Sequence, residues 1–247
     1  MTRLVLNVLA VLAHCCDLSR CAGALINYSR EGHRVYVLSL TYGESIESPA
    51  CWAQEGMTIE KAKVQKRAEA DEACKLIGVV ENRNLDWGDC SLTVDENRFL
   101  VLVDEIRRIQ PDIILTHPVE DRTYWDHRVT AESVIKATHF ARSKHLKTRH
   151  EPLMRGASIY MFEPIRGGSE ALDYKPDIYI DITEAQELKV RVCKCFKSHF
   201  VNSVLGEDLS KYFADFGARW RGVQSGTWYA EAYKWWSPPR KAYKLFP

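Results

Sequence analysis

The stretch LVLNVLAVLAHCCDLSRCAGAL, from Leu4 to Leu25, decides the fold. Its first half is almost wholly apolar, and its second half opens with His14 and Asp17, which two cysteines separate. A continuous apolar run is typical of a strand that is buried on both faces of a sheet. In open α/β sheets, ligands bind beyond the carboxyl ends of the strands. The stretch therefore predicts a central strand over residues 4–13 that delivers two potential metal ligands to that edge.

Strand-like and helix-like segments alternate along the rest of the chain. Apolar runs predict strands over residues 34–41, 83–87, 112–116, 158–162 and 178–182, and amphipathic patterns predict helices over residues 18–31, 59–77, 95–109, 128–142 and 184–198. This alternation predicts an α/β, Rossmann-like fold with a mainly parallel sheet and helices on both faces. We expect one domain over residues 1–247, with an aromatic-rich C-terminal elaboration from about residue 200.

Composition narrows the class of partner. The 247 residues carry a net charge of +1, and they contain no basic stripe that would favour nucleic acid as a partner. No apolar run is long enough to span a membrane. The eight cysteines form no CxxC pair, and in a chain of this size they indicate reduced thiols in a cytoplasmic protein. The N-terminal apolar run contains Asn7 and lacks a small-residue cleavage site, which favours a strand over a signal peptide. We expect a small-molecule substrate.

Two polar clusters follow two of the predicted strands. His14 and Asp17 are the first, and HPVEDRTYWDH, from His117 to His127, is the second. Catalytic zinc typically has three protein ligands and an open position, so His127 or His117 could complete a site with His14 and Asp17. Asp126 could orient a neighbouring ligand. The alternative is a buried histidine, a helix cap at Asp17 and a solvated loop.

Other residues could take part in chemistry at the same edge. Glu44 and Glu47 lie in the loop after the second strand, where a carboxylate near a metal could act as a general acid or base. The alternative is a charged surface loop. Four basic residues could bind a substrate carboxylate: Arg166, Lys175, Arg219 and Arg221. The alternative for each is a surface charge. His199 follows a helix and could face the site or the solvent.

The motif AHCCDL resembles the AHPDDE signature of the LmbE-like, or PIG-L, zinc N-deacetylases. The AGA segment that follows, and then EGHRVYVLSLTYGE, repeat that family's opening order. The resemblance implies that His14, Asp17 and His127 bind Zn²⁺, with His127 and Asp126 matching the family's later Asp-His pair. Other divalent ions accept the same ligands.

Three positions depart from the deacetylase pattern. Cys16 replaces the Asp that serves those enzymes as general base, Leu18 replaces the signature Glu, and Tyr124 replaces a further His. One branch of the fold, the 4-oxalomesaconate (4-carboxy-2-hydroxymuconate) hydratases, lacks the same Asp. The chain resembles that branch in six segments: LTYGESIES, CWAQEGMT, LDWGDCSL, FEP, KPDIYIDIT and AEAY.

This second resemblance implies a metal-dependent hydratase of aromatic-compound catabolism. It would add water to the C=C bond of an unsaturated 2-oxo or enol polycarboxylate such as 4-oxalomesaconate. Glu47 matches a candidate acid/base of the branch, while Tyr124, His199 or Glu44 could return a proton to carbon. Arg219 and Arg221 could hold substrate carboxylates. The alternatives are a zinc N-deacetylase acting on an N-acetyl sugar or related amide, and a binding protein that has lost activity. The aromatic-rich tail favours a homo-oligomer.

Overall fold

A seven-stranded, mostly parallel sheet forms the centre of the protein. The computed structural model describes residues 4–122, 124–164, 173–199 and 209–237. The strands are β1 (Asn7–His14), β2 (Arg34–Thr41), β3 (Glu81–Asn84), β4 (Ile113–Thr116), β5 (Ser158–Phe162), β6 (Ile178–Asp181) and β7 (Ala230–Trp235). Their order across the sheet is β3-β2-β1-β4-β5-β7-β6, and β7 pairs antiparallel with both β5 and β6. The predicted α/β fold is confirmed.

Helices connect the strands and cover the sheet. They are α1 (Leu18–Arg30), α2 (Pro49–Trp52), α3 (Ile59–Ile77), α4 (Glu96–Ile109), α5 (Trp125–Phe140), α6 (Gln186–Cys195) and α7 (Leu209–Ser225). The side chains of Thr58 and Asp95 accept the main-chain N–H groups of Lys61 and Arg98 and thereby cap α3 and α4. Among the described residues, no helix combines the length and the apolar character needed to cross a membrane.

The central strand β1 explains the apolar run at the start of the chain. Residues 8–13 are completely buried, and β1 pairs in parallel with β2 on one side and β4 on the other. Successive side chains of a strand point to opposite faces. Val8, Ala10 and Leu12 accordingly join one apolar core, while Leu9 and Val11 join the core on the other face. A strand covered on both faces needs the near-continuous apolar sequence that this chain has.

The topology brings three chain segments to one edge of the sheet. The chain winds from β1 to β2 and β3 in one direction and then returns to place β4 on the other side of β1. The carboxyl ends of β1, β2 and β4 are therefore neighbours at the point where the winding reverses, which is where ligands bind in open α/β sheets. His14 ends β1, the loop from Tyr42 ends β2, and His117 follows β4.

The C-terminal region differs most from the prediction. The aromatic tail supplies α7 and β7, and β7 inserts between two strands that are consecutive in the chain. Its sequence, AEAYKW, begins with alternating small and large residues, and its first four residues are buried.

The strand predicted at residues 83–87 lies two residues earlier, at Glu81–Asn84, because its partner there is β2. The division of the whole chain into one domain stays a prediction.

Candidate active site and metal centre

Three potential metal ligands meet at the carboxyl edge of β1. His14 ends the strand, Asp17 closes a single 3₁₀ turn, and His127 lies in the first turn of α5. Their ligand atoms all lie within 4.8 Å of one another, and all three side chains are buried. His14 Nδ1 is 3.3 Å from His127 Nε2 and 3.4 Å from Asp17 Oδ2. The structure thus brings the predicted metal ligands together.

Both histidines are oriented by a carboxylate on the side away from the cluster. His14 Nε2 lies 3.1 Å from Asp126 Oδ2, and His127 Nδ1 lies 2.8 Å from Asp121 Oδ2. Burial alone would raise the pKa of Asp126, but the hydrogen bond and the charge of His14 outweigh it and lower that pKa. A second hydrogen bond of this kind is usual for metal-binding histidines, because it fixes the ring and its tautomer. The donor set therefore fits a divalent ion.

His117 is the alternative third ligand, and its contacts argue against that role. Its ring stacks on that of His127 with centroids 4.1 Å apart. His117 Nε2 accepts the main-chain N–H of Ala13 at 3.0 Å, so the lone pair nearest Asp17 is already engaged. Burial, together with the charge of His127, lowers the pKa of His117 to about 3. His117 is thus a neutral ring that packs beneath the cluster.

Two residues of this centre were not among the sequence-predicted ones. Arg20 is partly buried, and its guanidinium lies beside the cluster, with Nε 3.2 Å from Asp17 Oδ1 and Nη1 3.7 Å from Asp121 Oδ2. Its guanidinium links the carboxylate of a potential ligand to the carboxylate that orients His127. The signal for Arg20 was its position one helical turn after Asp17, where side chains three apart are neighbours. Asp121 lies in the same polar segment as His127, six residues before it, but that spacing alone does not single it out from the other acidic residues there.

A second cluster lies beside the first and contains the predicted base. His199 Nδ1 is 2.6 Å from Glu47 Oε2, and the thiol of Cys16 donates to the same oxygen at 3.7 Å. Burial alone would raise the pKa of Glu47, but the hydrogen bond and the charge of His199 hold it well below its usual range. Burial would lower the pKa of His199, but Cys16 and Glu47 raise it to about 10. The pair is therefore a carboxylate and an imidazolium at neutral pH.

Helix α3 holds both halves of this pair in place. The fully buried Lys66 donates from Nζ to the main-chain oxygen of Glu47 at 2.7 Å. One turn later, Glu69 accepts the main-chain N–H of Ser198 at 2.9 Å and its hydroxyl at 2.5 Å. Ser198 precedes His199, so one helix face fixes the backbone on which each member of the pair is carried.

The other predicted catalytic residues lie in different surroundings. The ring of Tyr124 is 4.9 Å from the ring of His127, which places it beside the metal ligands. Glu44 is buried, and its Oε1 lies 3.7 Å from Lys63 Nζ. Burial is the main reason why its pKa is raised. The loop after β2 therefore directs Glu47, and not Glu44, towards Cys16.

The predicted substrate-binding arginines have protein partners. The buried Arg221 forms a bidentate ion pair with Glu163, whereas the half-exposed Arg219 binds Asp215 and lies over the ring of Tyr229. Within the described part of the chain, neither arginine forms a hydrogen bond or an ion pair with the three potential metal ligands. Lys175 is exposed and pairs with Asp173, and Arg166 lies outside the described residues.

The fold and the two clusters define an α/β protein with potential metal ligands and a Glu47–His199 ion pair at the carboxyl edge of its sheet. The chain belongs to the PIG-L family, described as GlcNAc-PI de-N-acetylase, which matches residues 9–138. The matched region contains His14, Asp17, Glu47 and His127, whereas His199 lies beyond it.

Similar proteins include hydratases and deacetylases. The chain is 29% identical to the 4-oxalmesaconate hydratase of Pseudomonas putida over 220 residues, which are 89% of this chain and 81% of that protein. The crystal structure of a 4-carboxy-2-hydroxymuconate hydratase from the same species has a TM-score of 0.86 at 26% identity, covering 98% of this chain and 100% of that one. The diacetylchitobiose deacetylase of Thermococcus kodakarensis is 25% identical over 68% of this chain and 61% of its own length.

Proposed function

We propose that this protein is a metal-dependent hydratase that adds water to the C=C bond of an unsaturated 2-oxo or enol polycarboxylate such as 4-oxalomesaconate. One observation carries the proposal. Position 16 holds a thiol, and the only carboxylate to which this thiol donates a hydrogen bond among the described residues is Glu47, which is paired with His199 at 2.6 Å. The similarity to a hydratase over most of the chain supports the same assignment.

His14, Asp17 and His127 are the residues that would hold the metal ion. A divalent ion such as Zn²⁺, bound there, supplies Lewis-acid stabilisation of the negative charge that develops on the 2-oxo oxygen of the substrate. Asp126 and Asp121 contact the outer nitrogens of the two imidazole rings and fix the ring orientations, which would leave the other two nitrogens for the ion.

The pair of Glu47 and His199 accounts for the two proton transfers of hydration. Glu47, which is ionised, accepts a proton from water as the water oxygen bonds to the far carbon of the double bond. His199, which is protonated, donates to the other carbon. Glu47 then releases its proton to water and the free nitrogen of His199 takes one up, which restores the ion pair of the two groups. Water has been added, and no net proton is gained or lost.

Other residues retain proposed roles in this reaction. Tyr124 lies beside His127 and is a second candidate for returning the proton to carbon, and Glu44 is a third. Arg219 and Arg221 are proposed to hold the remaining carboxylates of the substrate, which requires each to exchange or share the acidic partner it has here. The cytoplasm is the proposed location, and a homo-oligomer the proposed assembly.

A turnover assay on the enol form of 4-oxalomesaconate tests the proposal directly. We expect loss of the conjugated absorption at an enzymatic rate and abolition of that rate by a chelator. Glu47→Gln should retain metal and lose about 10²- to 10⁴-fold in kcat, since that is the usual contribution of a general base. Glu55→Gln, at an exposed glutamate of the same connection between β2 and α3, is the control and should lose far less. Equal losses in the two variants would remove Glu47 from the base role.

A zinc N-deacetylase is the second candidate, because the family description and the Thermococcus relative both name deacetylation. It would need Glu47 to activate water for attack on an amide in place of a carboxylate at position 16. Release of acetate from an N-acetylglucosamine conjugate, with no turnover of the enol substrate by folded and metal-loaded protein, would establish it.

A further inference from the structure

The cluster of Cys16, Glu47 and His199 has the composition of a metal site in its own right. The three side chains each offer a ligand atom, and these atoms lie within 4.8 Å of one another. Cys16 and Glu47 are buried, and the side chain of His199 is 14% exposed. A thiolate, an imidazole and a carboxylate are three of the ligands that Zn²⁺ takes in proteins.

We propose that Cys16, Glu47 and His199 form a second site for a soft divalent cation such as Zn²⁺, and that filling it stops turnover. The site is distinct from that of His14, Asp17 and His127, which offers no sulfur. Soft thiolate ligands favour zinc over magnesium, calcium or manganese. The inhibitory part of the inference rests on the proposed function, because it requires Glu47 and His199 to move protons. The binding part does not.

The distances suit a cation with small adjustments. Tetrahedral zinc with Zn–S of about 2.3 Å and Zn–O of about 2.1 Å separates sulfur from oxygen by about 3.6 Å, and the observed separation of Cys16 Sγ from Glu47 Oε2 is 3.7 Å. The same geometry separates nitrogen from oxygen by about 3.4 Å. The His199–Glu47 contact of 2.6 Å is a hydrogen bond that must open for the ion to enter.

Glu47 also has an oxygen to spare. Its Oε1 is buried and has no hydrogen-bond partner among the described residues. A buried carboxylate oxygen without a partner is costly, and a cation that bound it would remove that cost. The main-chain oxygen of Glu47 is held by Lys66, so the carboxylate can turn towards an ion without releasing the loop.

The exchange is also balanced in charge. The ion displaces the proton on the Cys16 thiol and the proton on His199 Nδ1 that the imidazolium donates to Glu47. One divalent cation thus replaces two protons, and the net charge next to the buried ammonium of Lys66 does not change. The ion would also occupy the Glu47 carboxylate and take the proton of His199, the two groups that the proposed reaction needs, which is why binding at this site would be inhibitory.

Cobalt(II) titration of metal-stripped protein tests the site, since cobalt takes zinc sites and a thiolate ligand gives it an intense near-ultraviolet charge-transfer band. We expect a first equivalent without this band and a second equivalent with it. Cys16→Ser should lose the band and keep the first equivalent. Cys90→Ser, which changes an exposed cysteine, is the control and should keep both. A band that arrives with the first equivalent, or that survives in Cys16→Ser, would overturn the proposal.

Two further measurements keep the test independent of that variant and of the assigned reaction. X-ray absorption of wild-type protein with two equivalents of Zn²⁺ should show sulfur at about 2.3 Å, and its absence would overturn the site. In the turnover assay, the Zn²⁺ concentration that halves the activity should be at least about tenfold higher for Cys16→Ser than for the wild type. The activity of each protein is expressed relative to its own activity without added Zn²⁺. Even residues that only support a ligand change metal affinity 10- to 100-fold. An unchanged midpoint would refute inhibition at this site, whereas absent turnover of the enol substrate would refute the proposed function alone.

Discussion

Replacing Asp121 should weaken metal binding in two graded steps. Asp121 Oδ2 lies 2.8 Å from His127 Nδ1, and the residue is 1% exposed, so water cannot substitute for it. Asp121→Asn keeps an oxygen that accepts this hydrogen bond and loses only the charge. Asp121→Ala loses both. Carboxylates that orient a ligand histidine contribute 10- to 100-fold to metal affinity. We assign about tenfold, or ~1.4 kcal/mol, to the asparagine variant and about a hundredfold, or ~2.7 kcal/mol, to the alanine variant.

Competition with a chromophoric zinc chelator measures these affinities at fixed pH. Asp104→Asn is a matched control, because Asp104 is also buried and also bonds a histidine, with Oδ1 2.9 Å from His150 Nδ1, but neither residue contacts the cluster. Its zinc dissociation constant should equal that of the wild type. A dissociation constant for Asp121→Ala within about twofold of wild type would show that His127 does not bind the metal through Nε2, the ring nitrogen opposite Asp121.

Three other changes have definite expected results. Although burial opposes its charged form, hydrogen bonds from His150 hold the pKa of Asp104 at about 2. The stability that the ionised Asp104 contributes to the fold is therefore complete above about pH 4 and is lost as the pH falls through 2. Asp104→Asn should make the unfolding free energy, measured by urea denaturation at each pH, fall less steeply over this acid range. Gly43→Ala places a methyl 2.9 Å from Glu47 Cβ at a φ of +73°, and should cost roughly 1–2 kcal/mol in thermal unfolding and lower kcat. Lys66→Met should lower kcat with zinc content unchanged, because it frees the main chain of Glu47.

The proximity of the three potential metal ligands was predictable because their positions follow from local sequence and sheet geometry. His14 and Asp17 are separated by one turn at the end of a strand, and His127 follows the neighbouring strand β4. Parallel strands bring such segments to one edge wherever the loops are short. The orienting role of Asp126 follows from the same placement, since it precedes His127 on the first turn of α5.

The contact between Glu47 and His199 could not be read from the residues, because 152 positions separate them. It depends on α3 packing against the segment after α6, which a pattern in either segment does not specify. The resemblance to a hydratase drew attention to Glu47, but only the folded chain pairs it with His199. The place of β7 was hidden for a similar reason: an edge-like alternating sequence does not reveal that the strand inserts between β5 and β6.

The pairing of Glu47 with His199 joins two parts of the chain that lie 152 positions apart. The PIG-L family model matches residues 9–138, which carry the three potential metal ligands and Glu47 but not His199. A chain that kept residues 9–138 and replaced the segment that carries His199 would retain all three potential metal ligands and give Glu47 a different neighbour. The surroundings of the Glu47 carboxylate can therefore change by exchange of a segment far along the chain, while His14, Asp17 and His127 keep their places at the end of β1 and the start of α5.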